Sequence, residues 1–210
     1  MKLKNKVKKV LEILKLHIPN PVTELEYQTP FQLMVAVILS AQCTDKRVNE
    51  ITPNLFQKFP DAKSFAKASF DEVFPLIKSI SYPNNKTKHL IEASKILVDK
   101  YNEKIPDNLE DLILIPGVGR KTANVLLSVL YNKPALAVDT HVQRVANRLG
   151  WVNTQNVLQI EKILTQLINP NEIPIAHHLL ILHGRYTCKA KNPNCTDCPI
   201  QKYCDFFQSK

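Results

Sequence analysis

Glycine is scarce, with four in 210 residues. A chain that reverses every few residues needs many more, so a turn-rich β fold is excluded and an all-α protein is expected. Also missing is any run of about 20 apolar residues, the length that spans a bilayer. The most apolar stretch, Leu33 to Ala41, is far shorter, and no membrane partner is expected. Met1 to Lys9 is basic, but Glu12 and Lys15 interrupt the apolar segment of a secretory signal, which points to the cytoplasm. Acidic residues are the minority charge: 19 Asp and Glu against 28 Lys and Arg leave a formal +9, a balance that favours a polyanionic partner. Two common chemistries lack their motifs. No G-x-x-x-x-G-K spacing and no buried strand accompany Gly119-Arg120-Lys121-Thr122, which excludes a Walker-type nucleotide loop. No H-E-x-x-H spacing relates His177, His178 and His183, which read as structural histidines. With 44% apolar content, the chain can bury one or two modest cores.

What is there is organised around Leu112 to Tyr131, L-I-L-I-P-G-V-G-R-K-T-A-N-V-L-L-S-V-L-Y. Pro116 stops one helix, Gly117 and Gly119 permit a hairpin around Val118 whose N–H groups point outward, and Arg120 opens a second helix. Such a turn suits one phosphate. Lys121 falls in the first turn, where the positive end of the helix dipole favours the uncharged amine, the form that attacks carbon. The alternative for an isolated G-x-G is a surface lysine beside a structural turn. Further on, Ala135 to Val138 leads to Asp139, an expected N-cap for a helix carrying Val142, Val145, Ala146 and Leu149 and closed by Gly150. A carboxylate held by cap N–H donors suits stabilising positive charge better than acting as a strong base. His141 and Arg144 follow in the next turns as candidate phosphate contacts.

The remaining pattern is helical. Val7, Val10, Leu11, Leu14 and Ile18 mark an amphipathic helix ended by Pro19 and Pro21, and Thr29-Pro30 opens a buried helix through Leu39. Gln42 stands at its mouth. Asp45 to Phe59 and Asp61 to Ala68 read as short helices, and Ser69 with Glu72 forms a capping box. After the polar turn Lys78 to Lys86, a long helix runs to Tyr101, and Asp107 is the expected cap of the short helix before the hairpin. Thr154 to Ile168 and Pro174 to Tyr186 give two more.

Four of the five cysteines, Cys188, Cys195, Cys198 and Cys204, are spaced C-x6-C-x2-C-x5-C near the C-terminus. In a cytosolic chain such thiolates favour a metal over disulfides. A zinc ribbon usually offers two close pairs, and only Cys195 and Cys198 form one, but spacing alone leaves zinc and iron–sulfur both open. Lys189 and Lys191 between the first two ligands are candidate phosphate contacts, and Cys43 is expected to be a buried free thiol.

L-x-x-I-P-G-V-G-R-K-T-A followed by A-V-D-T-H-V resembles the helix-hairpin-helix DNA glycosylases, most closely the endonuclease III family, over nearly the whole chain. The resemblance implies a two-lobed all-α fold. A helical barrel lobe of residues 21–133 would contain the hairpin; residues 1–20 and 134–210 would form the other, with the cluster segment at 188–204. Lys121 and Asp139 would face each other across the cleft as nucleophile and catalytic partner, and the four cysteines would hold a [4Fe-4S] cluster. Gln42, in S-A-Q-C-T-D, would help fill the gap left by an extruded base. Where the family has glycine then an apolar wedge, this chain has Ser81-Tyr82-Pro83, and Tyr82 takes the wedge position. The implied enzyme is a monomeric base-excision glycosylase and AP lyase, acting in the nucleoid on duplex DNA with oxidised pyrimidines or abasic sites. Its rivals are a monofunctional adenine-type glycosylase, which typically lacks this lysine and has an extra C-terminal domain, and a non-catalytic DNA-binding protein with a structural metal.

Overall fold

The computed structural model describes residues 2–209; Met1 and Lys210, the outer ends of the expected terminal lobe, lie outside the described residues. Among the described residues every regular element is helical, and no helix is long and apolar enough to cross a membrane. The chain forms two compact units, Glu24–Tyr131, and Met1–Thr23 with Asn132–Lys210.

The contiguous unit holds α2 (Pro30–Ser40), α3 (Asp45–Lys58), α4 (Ala62–Lys67), α5 (Phe70–Ile77), α6 (Pro83–Tyr101), α7 (Leu109–Leu112) and α8 (Arg120–Tyr131). Its axis is α2. Thr29 caps this helix by accepting the Gln32 N–H, Pro30 stands in its first turn, and every residue from Phe31 to Leu39 is buried. A helix apolar on all sides must be covered on all sides, and α3, α6 and α8 pack around it. Asp61 and Ser69 form capping boxes with Ser64 and Glu72 that start α4 and α5, and both helices pack on α6. The short α7 is capped by Asn108, which accepts the Asp111 N–H at 2.8 Å, rather than by Asp107. Asn108 is the last extended residue, and a cap must sit there to reach the N–H three residues on.

The second unit joins α1 (Leu3–His17) to α9 (Thr140–Arg148), α10 (Val157–Leu167), α11 (Ile173–Tyr186) and α12 (Asp205–Gln208). The apolar stripe of α1, Val7, Val10, Leu11 and Leu14, is buried in one core with Val142, Val145, Leu164, Leu179 and Leu180. Lys6 Nζ fastens the start of α1 to the end of the chain, donating to the Leu149 carbonyl at 2.7 Å and to Asp205 Oδ1 at 2.5 Å. Cys43 is a half-buried free thiol, so its expected burial is only partial.

α9 and α11 approach at Gly184, where an added Cβ would stand 2.8 Å from His141 Cβ and 3.3 Å from Val145 Cγ2. A Cβ so close to the root of another side chain cannot be accommodated by a rotamer change. Gly184→Ala should therefore destabilise the fold by about 1–3 kcal/mol, read as a lowered urea midpoint.

Candidate active site and metal centre

The hairpin is built by hydrogen bonds that close on themselves. After α7, the Ile115 N–H reaches the Leu112 carbonyl at 3.1 Å, and the Val118 N–H reaches that of Ile115 at 3.0 Å, so this N–H turns inward to close the turn rather than outward as expected, and the Val118 side chain is drawn into the core. Gly117 has φ +81°, and a Cβ there would meet His89 Cβ at 3.1 Å and Ile38 Cγ2 at 3.3 Å, so backbone and packing both demand glycine. Gly119 differs. It is exposed, and a Cβ there would meet nothing within 4 Å. Nothing inside the protein requires glycine at that position, which is the pattern of a backbone left bare for something outside to approach. Lys121 follows in the first turn of α8 with its side chain exposed, while Asn124 and Ser128, on the same helix face by spacing, are buried.

At the end of α2, exposed Gln42 adopts a left-handed conformation, φ +55°. Tyr82 is left-handed too, at φ +56°, and 61% exposed. Ser81 Oγ donates to the Gln42 carbonyl at 2.6 Å, so these two segments touch across 39 residues of chain. Beneath them lies Lys86, 5% exposed, whose Nζ donates to the carbonyls of Leu39 at 2.8 Å and Ala41 at 2.6 Å. Burial pulls its pKa down. Nothing in the sequence marks Lys86, which sits in a polar run that reads as solvated.

In the second unit Asp139 is the N-cap of α9: Oδ1 accepts the N–H groups of His141 at 2.9 Å and Val142 at 2.8 Å. Both bonds fall on one oxygen, leaving Oδ2 without a hydrogen bond among the described residues. Arg144, one turn on, is engaged within the protein. Its Nε donates to the Cys188 carbonyl at 2.9 Å and Nη2 to the Gly184 carbonyl at 2.8 Å, with His141 Nδ1 3.0 Å from Nη2.

All four C-terminal cysteines are free thiols and line one void. Among the described residues no three His, Cys, Asp or Glu side chains converge as the ligands of one metal ion. Two residues that the spacing did not flag face the sulfurs. Arg148 Nη1 lies 3.3 Å from Cys188 Sγ and donates to the Lys189 carbonyl at 2.8 Å, while Nη2 reaches the Ala190 carbonyl at 3.1 Å. Buried His183 places Nε2 3.9 Å from Cys198 Sγ, and burial depresses its pKa to about 4, so it is neutral. Position alone offered a signal for Arg148, one helical turn after Arg144 on α9. Burial raises the Cys198 and Cys204 thiols, which a positive group in the void would reverse. Lys189 and Lys191 are exposed, the backbone of the first pinned by Arg148 and its side chain outward.

Two family descriptions match the chain: HhH-GPD superfamily base excision DNA repair protein over residues 35–170, and the iron–sulfur binding domain of endonuclease III over residues 188–204. Endonuclease III of Rickettsia felis is 46% identical, covering 97% of this chain and 95% of its own length. The Escherichia coli enzyme is 40% identical, with 96% and 97% covered. A trapped endonuclease III–DNA covalent intermediate superposes with a TM-score of 0.93 at 40% identity, covering 100% of this chain and 99% of that one. With its hairpin, its capped aspartate and its cysteine-lined void, the chain belongs to the endonuclease III family of the HhH-GPD base-excision repair superfamily.

Proposed function

We propose that this base-excision DNA glycosylase and AP lyase removes oxidised or ring-damaged pyrimidines from duplex DNA through a Schiff base on Lys121, and cuts 3′ to the resulting abasic site. The observation that carries the reading is the exposed Lys121 amine in the first turn of α8, two residues after a glycine that faces open space. A phosphate over Gly117, Val118 and Gly119 would meet the N–H end of α8, and Lys189 and Lys191 would hold a second phosphate. Arg144 serves that surface from beneath by fixing the Gly184 and Cys188 carbonyls, with His141 beside it.

The target base must leave the stack before C1′ is accessible, and a damaged pair yields more easily. Gln42 and Tyr82, both exposed on left-handed backbone, are suited to fill the space it vacates. The lone pair of the Lys121 amine then adds to C1′ as the C1′–N bond breaks, and the base departs with that bonding pair and takes up a proton. The Asp139 carboxylate stabilises the positive charge on the sugar. The alkylated nitrogen gives up one proton, O4′ leaves C1′ with the bonding pair and is protonated by water, and the resulting C1′=N iminium acidifies the C2′ proton; loss of that proton to water expels the 3′ phosphate with the C3′–O pair.

Cys188, Cys195, Cys198 and Cys204 would hold a [4Fe-4S] cluster in the void they line, with the Arg148 guanidinium and the neutral His183 ring suited to thiolate sulfur. Because four thiolates would fill the iron sites of such a cluster, it would supply rigidity to the 188–204 segment rather than a step of the cleavage. The protein would act as a monomer in the cytoplasm, on the nucleoid.

Borohydride reduces an iminium irreversibly, so incubation with duplex carrying an oxidised pyrimidine should leave a covalent protein–DNA adduct. Lys121→Gln should abolish it with DNA binding retained, and Asp139→Asn should slow excision by about 10²-fold. Free base without adduct would favour a monofunctional glycosylase, and binding without either product a non-catalytic module; an undiminished adduct in Lys121→Gln would refute the assignment. Gly119→Ala should leave the urea midpoint unchanged while weakening DNA affinity, since only an outside ligand needs that space; equal affinity would remove the phosphate from the hairpin. Purified protein should be brown with about four irons and four sulfides per chain. Cys198→Ser should lose stability or DNA affinity before chemistry, whereas colourless protein with stoichiometric zinc would exclude the cluster.

A further inference from the structure

Two non-glycine residues held left-handed, Gln42 and Tyr82, stand at the exposed ends of adjacent loops. Each such residue costs of order 1 kcal/mol and persists only where its surroundings impose it. The surroundings here are specific. At Tyr82, Pro83 in the first turn of α6 disfavours the right-handed helical conformation, so α6 cannot extend backwards over Tyr82; a following proline favours extended backbone, so the left-handed state must be held by the contact that Ser81 makes next to it. At Gln42 the restraint is a pair of donors. Lys86 holds the carbonyls of Leu39 and Ala41 at the end of α2, and Ser81 holds the carbonyl of Gln42 itself. The α2 carbonyls would otherwise need water or a cap, and a buried ammonium with two short bonds is a costly substitute to keep for packing alone. Ser81 adds a link that glycine at this position has no atom to make.

We propose that Ser81 and Lys86 are positioning residues that join the Gln42 and Tyr82 loops into one preassembled wedge, which enters the duplex at the damaged pair as a unit. The inference rests on the reading above that these two loops enter DNA. Preassembly means that the ordering cost of both loops is met on folding rather than on binding, so the gain falls on damaged duplex, where a gap exists to be filled, and not on intact duplex. The departure Ser81-Tyr82-Pro83 is then a different way of stiffening the wedge: proline restrains its backbone, and the serine hydroxyl ties it to its neighbour.

The test compares affinity for duplex containing a tetrahydrofuran abasic analogue, which the enzyme cannot process, with affinity for the same duplex undamaged. Ser81→Ala should lower that ratio by about 3- to 10-fold, the worth of one hydrogen bond, without changing affinity for undamaged DNA. Ser81→Thr, which keeps the hydroxyl, should retain the ratio. In a Tyr82→Ala background the Ser81→Ala loss should shrink to under about 2-fold, because the side chain being positioned is gone. Lys86→Met should act like Ser81→Ala, with its fold checked by circular dichroism; if it does not fold, the serine variants decide. A Ser81→Ala loss equal on both duplexes, or undiminished without Tyr82, would reduce the contact to general stability and overturn the proposal. An unchanged ratio in Ser81→Ala while Gln42→Ala and Tyr82→Ala lower it would overturn the clamp and spare the wedge. No effect from Gln42→Ala or Tyr82→Ala would show that the reading of the loops fails, and the clamp with it.

Discussion

An α-helix leaves four N–H groups at one end and four carbonyls at the other without an internal partner. In a protein made only of helices, every end is a demand that something must meet. Here three of those ends are met in unusual ways. Asp139 answers the N–H groups of α9 with one carboxylate oxygen and keeps the other. Gly119 leaves the start of α8 bare, and Lys121 stands beside it. Lys86 answers the carbonyls of α2 from within.

The cysteine segment obeys the same constraint by another route. It has little helix of its own after Tyr186; turns meet some of its carbonyls, and α9 meets others, Arg144 taking that of Cys188 along with that of Gly184 at the end of α11, and Arg148 those of Lys189 and Ala190. The helix that starts with Asp139 therefore also props the loop that bears Lys189. Close packing at Gly184 keeps α9 and α11 near enough for those arginines to reach.

Much of this was legible in the residues because the determinants are local. Asp139 before a helical pattern, Thr29-Pro30 and the Ser69/Glu72 box each place a helix start through bonds spanning three residues, and the structure has them there. Gly117 needs a positive φ that its neighbours impose. Asp107 and Asn108 show the resolution of such reading: both cap well, and only the extended backbone at Asn108 decides between them. What was not legible depends on tertiary contact. Lys86 sits among Asn, Lys and Thr and reads as solvated, yet it is buried, because α2 happens to end above it. Arg144 reads as a candidate phosphate contact, and its guanidinium is held by carbonyls 40 and 44 residues away. Arg148 and His183 acquire their place against sulfur only once the void exists.

The order in which the two units occur along the chain bears on synthesis. Residues 24–131 are contiguous, so that unit is complete once they have left the ribosome. The other is not: α1 emerges ahead of that unit, and its buried face of Val7, Val10, Leu11 and Leu14 waits for partners encoded from Asn132 onwards, while Lys6 waits for Asp205, 199 residues further on. At about 5–20 residues per second, that wait lasts roughly 10–40 s. During it the nascent chain carries an apolar stripe flanked by lysines, with a finished helical unit behind it, and a stalled or truncated product would retain that exposed stripe indefinitely.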